Sequence, residues 1–254
     1  VLEIRNVTKR FGGLTAVHDV TTTVERGKVN AIIGPNGAGK TTFFNLVSGT
    51  IAPTTGAIVY EGRDITGLRA DQVALLGISR TFQATTLFDM ATVLDNLIVG
   101  HRLRTRSGLV DVLFNSKRLR EEERICREKA AASLDFVGLS HVANRLAGDI
   151  SQEERKRVAF ALALSTDPQL VLLDEPAGGV NPEETVGLAD LIRKFVRHGI
   201  TVCLIEHKMD MIMSLADKIM VLNYGEKIAE GTPAEIRANP AVIDAYLGSE
   251  HADV

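Results

Sequence analysis

The sequence predicts an α/β fold in which a mainly parallel sheet is joined to an antiparallel β subdomain and a helical insertion. Three observations predict it. Gln169-Leu170-Val171-Leu172-Leu173-Asp174, Thr201 to His207 and Ile219 to Leu222 are continuous apolar runs. Such runs bury both faces, and here they alternate with helical stretches at 183–198 and 209–216, the grammar of a parallel sheet covered on both sides. A glycine-rich segment, Gly34 to Thr42, separates a short apolar strand at 29–33 from the opening of a helix at 42–48. Residues 91–147, in contrast, carry no strong strand signal.

The elements follow in order. Leu2 to Val7 and Val17 to Val24 alternate apolar and polar residues, as half-buried strands do. Gly27 marks a turn, and Gly56 to Gly62 reads as another strand between turn signals. Residues 1–30 and 50–65 are therefore expected to form the antiparallel subdomain. The core takes residues 31–49 with 158–230, the helical subdomain 86–157 and a C-terminal helical tail 231–254, all within a single domain spanning 1–254. Residues 121–137 are rich in helix formers, with Ile125, Ala132, Leu134 and Val137 as expected inward positions. The basic run Arg102, Arg104, Arg106, Lys117, Arg118 and Arg120 reads as a solvated face. Docking near anionic lipid or an acidic partner is the alternative.

Composition narrows the function. The chain has 254 residues, 45% of them hydrophobic, enough for a sizeable core. A net charge of −3 argues against a nucleic-acid binder. No apolar run approaches the roughly 18–20 residues that span a bilayer, and Val1 to Arg5 shows no signal-peptide pattern. Cys126 and Cys203 lack metal-ligand spacing and are expected to be buried free thiols in a reducing compartment. A cytoplasmic chain is expected, with any membrane association made through a partner.

Gly34-Pro35-Asn36-Gly37-Ala38-Gly39-Lys40-Thr41-Thr42 carries the chemistry. It has the spacing G-x-x-x-x-G-K-[ST] between a strand and a helix. Small glycines let backbone N–H groups close around a triphosphate, and the helix N-terminus adds its positive end. Lys40 is expected to reach the β- and γ-phosphates and the Thr41 hydroxyl to ligate Mg²⁺. Asp174 and Glu175 place two carboxylates at the C-terminal end of an apolar strand, where ligands bind in open α/β sheets. Asp174 is expected to hold Mg²⁺ through water and Glu175 to polarise the attacking water. An acidic pair after a strand also suits a helix N-terminus.

Phosphate loop, Gln83, a serine-initiated helix at Ser151, Asp174-Glu175-Pro176 and His207 occur in that order. Together they resemble the nucleotide-binding subunit of an ATP-binding cassette (ABC) transporter over nearly the whole chain. The resemblance implies a P-loop NTPase (RecA-like) core and an ATP hydrolase with ATP and Mg²⁺ as cofactors. It implies that Phe11 stacks on adenine, that Gln83 contacts Mg²⁺ and water, and that His207 contacts the γ-phosphate. It also implies that Ser151 approaches a nucleotide held by a second ATPase subunit. The family's signature Leu-Ser-Gly-Gly-Gln appears here as Ile150-Ser151-Gln152-Glu153-Glu154. Both glycines are lost, and Glu153 brings a carboxylate that a phosphate repels, so this signature is expected to support hydrolysis poorly. Ser151 and Glu154 still spell the capping box S-x-x-E.

Gly77 to Gln83, Leu87 to Asn96, Ile205 to Met209 and the tail from Ile228 are similar to the ATPase subunits of branched-chain amino-acid importers. That resemblance implies transmembrane permease subunits, a second ATPase subunit (identical or different), indirect work with a substrate-binding protein, and a position on the inner face of the cell membrane. The ATPase of lipopolysaccharide export shares much of the same tail and is the alternative within the class. A non-transport ABC ATPase is the alternative outside it. The long coiled-coil insertions of the DNA-repair members and the double cassette of the ribosomal ones have no counterpart in the sequence.

Overall fold

A computed structural model of the chain describes residues 1–81, 87–101, 111 and 116–247. It divides into two compact units, Val1–Arg80 with Gln169–Val254, and Thr81–Pro168.

The first unit holds two sheets. Strands β1 (Leu2–Phe11), β2 (Leu14–Val24), β4 (Thr55–Tyr60) and β5 (Arg63–Asp64) form an antiparallel sheet in the order β2-β1-β4-β5. Its alternation puts Leu2 opposite Val24 and Tyr60, and Ile4 opposite Ile58, all buried. The second sheet runs β10 (Glu226–Gly231), β9 (Lys218–Asn223), β3 (Val29–Ile33), β8 (Thr201–Ile205), β7 (Leu170–Asp174), β6 (Ile78–Thr81). β3 pairs in parallel with β8 and β9, β7 with β8, and β10 returns antiparallel on β9. Every residue of β3, β7 and β8 is buried, the state that continuous apolar runs demand.

Side-chain alternation along these strands sorts two cores. Ile32, Met220 and Leu222 join a cluster with Phe43 and Phe44 of α1 (Lys40–Val47), with Val73 of α2 (Ala70–Leu75), and with the β1 and β4 side chains. Ala31, Ile33, Ile219 and Val221 point the other way, as neighbours on a strand must, and join a second cluster.

The second unit is helical among its described residues: α3 (Val93–His101), α4 (Lys117–Phe136) and α5 (Gln152–Leu164). The expected inward face of α4 needs correction. Leu134 and Val137 are buried, but Ile125 and Ala132 are exposed. The buried stripe is Cys126, Ala130, Ser133 and Leu134, the spacing i, i+4, i+7, i+8, which leaves Ile125 and Ala132 off the stripe. α5 lies wholly in this unit, so the boundary expected at 157/158 falls inside it.

Short 3-10 turns at Ser140–Val142 and Ala147–Asp149 also lie in the second unit. The first unit adds the α-helices α6 (Pro182–Arg197), α7 (Met209–Leu215), α8 (Pro233–Arg237) and α9 (Pro240–Leu247). α7, α8 and α9 supply Ile212, Ile236 and Val242 to the second cluster. Cys126 and Cys203 are buried and form no disulfide; burial pushes the Cys203 thiol up to about 12.

Candidate nucleotide site

β3 ends at Ile33 and α1 begins at Lys40, so residues 34–39 must turn the chain from sheet to helix in one short loop. Gly37 (φ 79°) and Gly39 (φ 98°) make that turn in backbone conformations that cost a side chain dearly. At Gly39 a Cβ atom would lie 2.4 Å from the Ala16 carbonyl oxygen of β2; at Gly37 it would meet nothing within 4 Å. The β9–β10 turn fastens the loop from the side, the Gly225 N–H donating to the Ala38 carbonyl at 3.0 Å and the His18 N–H to the Gly225 carbonyl at 2.8 Å.

Lys40 is buried, and its Nζ donates to the Gly34 and Pro35 carbonyls at 2.7 and 2.9 Å. Burial pushes its ammonium below the ordinary lysine value, against the opposing pull of Glu175 and Asp174. The side chain is thus folded back over its own loop, within the cleft described below.

Across the loop, β7 delivers the carboxylates. Asp174 is the last strand residue, and Glu175 follows at φ 50° with its N–H donating to the Ile205 carbonyl at 2.9 Å. This bend carries the chain off the sheet between Asp174 and the loop that follows. His207, just beyond β8, has Nε2 2.9 Å from Glu175 Oε1. Beside an ionised carboxylate, which can only accept, Nε2 would be the donor. Asp174 Oδ2 accepts from Arg80 Nη2 at 2.8 Å. Glu206 is buried, and its Oε2 accepts from the Ala177 N–H at 3.2 Å.

Asn36 to Thr42, Glu175 and His207 line one cleft of about 480 Å³, within the range of small-molecule sites. Leu14, Thr15, Ala16 and Tyr224 complete its lining. The structure therefore brings most of the sequence-predicted residues together and adds several. Tyr224 is 85% exposed at the rim, on the turn that fastens the phosphate loop. Its signal in the sequence was a Tyr-Gly turn between two strands, which alone reads as a hairpin. Phe11 is not among the lining residues described; it pairs across the hairpin with Leu14, which is. Lys9 Nζ stands 5.0 Å from the Phe11 ring centroid.

Gln83 lies outside the described residues. Ser151 belongs to the second unit, where it caps α5: Oγ accepts from the Glu154 N–H at 3.1 Å, and Glu154 Oε2 accepts from the Ser151 N–H at 2.6 Å. Glu153 accepts from Arg157 Nε at 2.7 Å, one turn along the helix.

A phosphate loop facing Glu175 and His207 across one cleft, with Asp174 buried at the strand end just before Glu175, defines a nucleotide-binding cassette. The chain belongs to the ABC transporter family, whose model matches residues 17–178. Residues 226–252 match a second model, described as branched-chain amino acid ATP-binding cassette transporter. The chain is 44% identical, over 98% of each chain, to the high-affinity branched-chain amino acid transport ATP-binding protein BraF of Pseudomonas aeruginosa. It is 41% identical, again over 98% of each, to LivG of Salmonella typhimurium, which bears the same description. Among solved structures it resembles the ADP conformation of MJ1267, an ATP-binding cassette of an ABC transporter, at a TM-score of 0.86 and 34% identity over 98% of each chain.

Proposed function

We propose that this chain is the ATP-hydrolysing subunit of an importer, driving branched-chain amino-acid uptake through separate membrane subunits. The observation that carries the hydrolytic reading is the Glu175–His207 pair facing the phosphate loop in one cleft. The relatives' names and the tail match carry the cargo. Attachment to the inner face of the membrane through permease subunits is proposed from the family and the relatives' names. Among the described residues no helix is long and apolar enough to cross a membrane.

The loop amides and the α1 N-terminus cradle the β- and γ-phosphates, and Lys40 turns from the Gly34 and Pro35 carbonyls to the phosphate oxygens. Thr41 and Asp174 are hard oxygen donors of the kind Mg²⁺ takes, and they fit it. Bound there, Mg²⁺ would neutralise charge on the phosphates. Glu175 accepts a proton from the attacking water, while His207 holds the Glu175 carboxylate and contacts the γ-phosphate. Gln83 would contact Mg²⁺ and water and report nucleotide state to the helical unit. Phe11 is proposed to stack on adenine, with Leu14, Ala16 and Tyr224 as further walls for the base.

Ser151 is proposed to meet the nucleotide of a second ATPase subunit, identical or different. Its oxygen already accepts from the Glu154 N–H, and its O–H remains a donor for a phosphate. A substrate-binding protein would work with the permease indirectly.

The test is purification with the membrane subunits and uptake of labelled leucine into proteoliposomes. ATP-driven uptake that disappears with Glu175→Gln supports the reading. Intact ATPase with no leucine uptake, but with lipopolysaccharide extraction, would replace the cargo.

A further inference from the structure

Arg80 lies on β6, and its guanidinium is buried, with a side-chain exposure of 8%. Nη2 donates to Asp174 Oδ2 at 2.8 Å. Nη1 donates to Asn45 Oδ1 at 2.6 Å and to Ser48 Oγ at 3.2 Å. Its central carbon stands 5.7 Å from the Phe44 ring centroid. One planar cation thus ties three elements together: β6, the end of β7, and α1 with the residue that follows it.

Those moorings matter because of what each element carries. α1 opens with Lys40 and Thr41, β7 ends at Asp174 beside Glu175, and β6 leads towards Gln83. A buried ion pair is weak evidence for stability, since apolar replacements of the same volume are often neutral or better. A rigid planar guanidinium, however, donates to Asp174 from one nitrogen and to Asn45 and Ser48 from the other in fixed directions, which the single nitrogen of an ammonium cannot reproduce.

We propose that Arg80 is a positioning residue for the metal-binding carboxylate. It holds Asp174 in register with the Thr41 hydroxyl by bracing it against Asn45 and Ser48. The proposal rests on the nucleotide-hydrolysis reading above. It assigns to Arg80 the role that groups behind metal ligands commonly play, where substitution typically costs roughly 10–100-fold in metal affinity or activity.

Arg80→Lys isolates geometry, because the charge stays and the fork goes. The experiment titrates Mg²⁺ against the purified chain and a fluorescent ATP analogue, with a parallel titration of the analogue in EDTA. Arg80→Lys is expected to raise the Mg²⁺ concentration at half-saturation by about tenfold or more, with analogue affinity in EDTA within about twofold of wild type. Asn45→Ala, which loosens the brace without touching the ion pair, is expected to move the same midpoint in the same direction, by less. This second variant decides the matter if Arg80→Lys fails to fold. A midpoint unchanged in the folded variants, whether or not Tm falls, overturns the proposal and leaves Arg80 a structural residue. Wild-type protein that fails to bind the analogue with or without Mg²⁺ overturns the nucleotide-hydrolysis reading itself, a distinct outcome visible before any variant is made.

Discussion

Alanine at Gly37 and at Gly39 perturbs the same loop in different ways, and the structure separates the two costs. Both glycines have φ well inside the positive region, 79° and 98°. An L-residue there costs roughly 1–2 kcal/mol. At Gly37 that is the whole cost, since a Cβ meets nothing within 4 Å. At Gly39 the new Cβ would stand 2.4 Å from the Ala16 carbonyl oxygen and 3.5 Å from the Gly225 Cα. The first contact is with backbone of β2 and cannot be relieved by a rotamer change, so loop and strand must part. Overpacking of this kind adds about 1–3 kcal/mol. At about 2–4 °C per kcal/mol for a chain of this size, Gly37→Ala is expected to lower Tm by about 2–8 °C. Gly39→Ala is expected to lower it by roughly 2–12 °C more. Scanning calorimetry of the nucleotide-free proteins measures both. Equal shifts, or a larger one for Gly37→Ala, would refute the claim that the loop is clamped against β2.

Three further outcomes follow from the site and its flanks. Lys40→Ala should abolish tight ATP binding by equilibrium titration while keeping the fold, because it removes the cation proposed to meet the phosphates. Glu154 accepts from the Ser151 N–H, which holds its carboxyl below the usual value of 4.5. A carboxyl lowered by folding stabilises the fold above its unfolded pKa, and that contribution is lost as pH falls through the folded value. The Tm gap between wild type and Glu154→Gln should therefore shrink as pH falls from neutral to below the usual carboxylate value, and a constant gap would contradict it. A Gln152→Gly, Glu153→Gly double variant should raise the ATPase rate of a self-paired dimer by removing the carboxylate beside Ser151; an unchanged rate would show that the altered signature is not the limit.

Much of this was legible because the decisive signals are local. β3, β7 and β8 announce themselves as apolar runs, and the strand–loop–helix around Lys40 fixes its own geometry through glycine and helix polarity. The capping box at Ser151 needs only four residues, and it forms as read. Strand order was not legible, since placing β3 between β8 and β9 depends on pairings nearly two hundred residues apart. The face of α4 was misread because Ile125 is the more apolar side chain, yet Cys126 lies on the stripe with Ala130 and Leu134. Arg80 was hidden for a related reason. A lone arginine in a strand reads as solvent-facing, and only the fold shows Asp174, Asn45 and Ser48 around its guanidinium. Tyr224 needed the third dimension too, because its turn reaches the cleft only once Gly225 is bonded to the phosphate loop.

The most direct test of the account is the Mg²⁺-dependent ATPase rate per chain, measured against protein concentration for the purified chain, with Glu175→Gln beside it. Wild-type hydrolysis, whether from the chain alone or with a second ATPase subunit, is expected to fall by about 10²–10⁴-fold in Glu175→Gln while ATP binding is retained. A rate that climbs with concentration would identify self-pairing, and a flat, near-background rate rescued by a second ATPase subunit would identify a mixed pair. Turnover by Glu175→Gln at the wild-type rate would contradict the assignment of Glu175, and with it the proposed chemistry of the cleft.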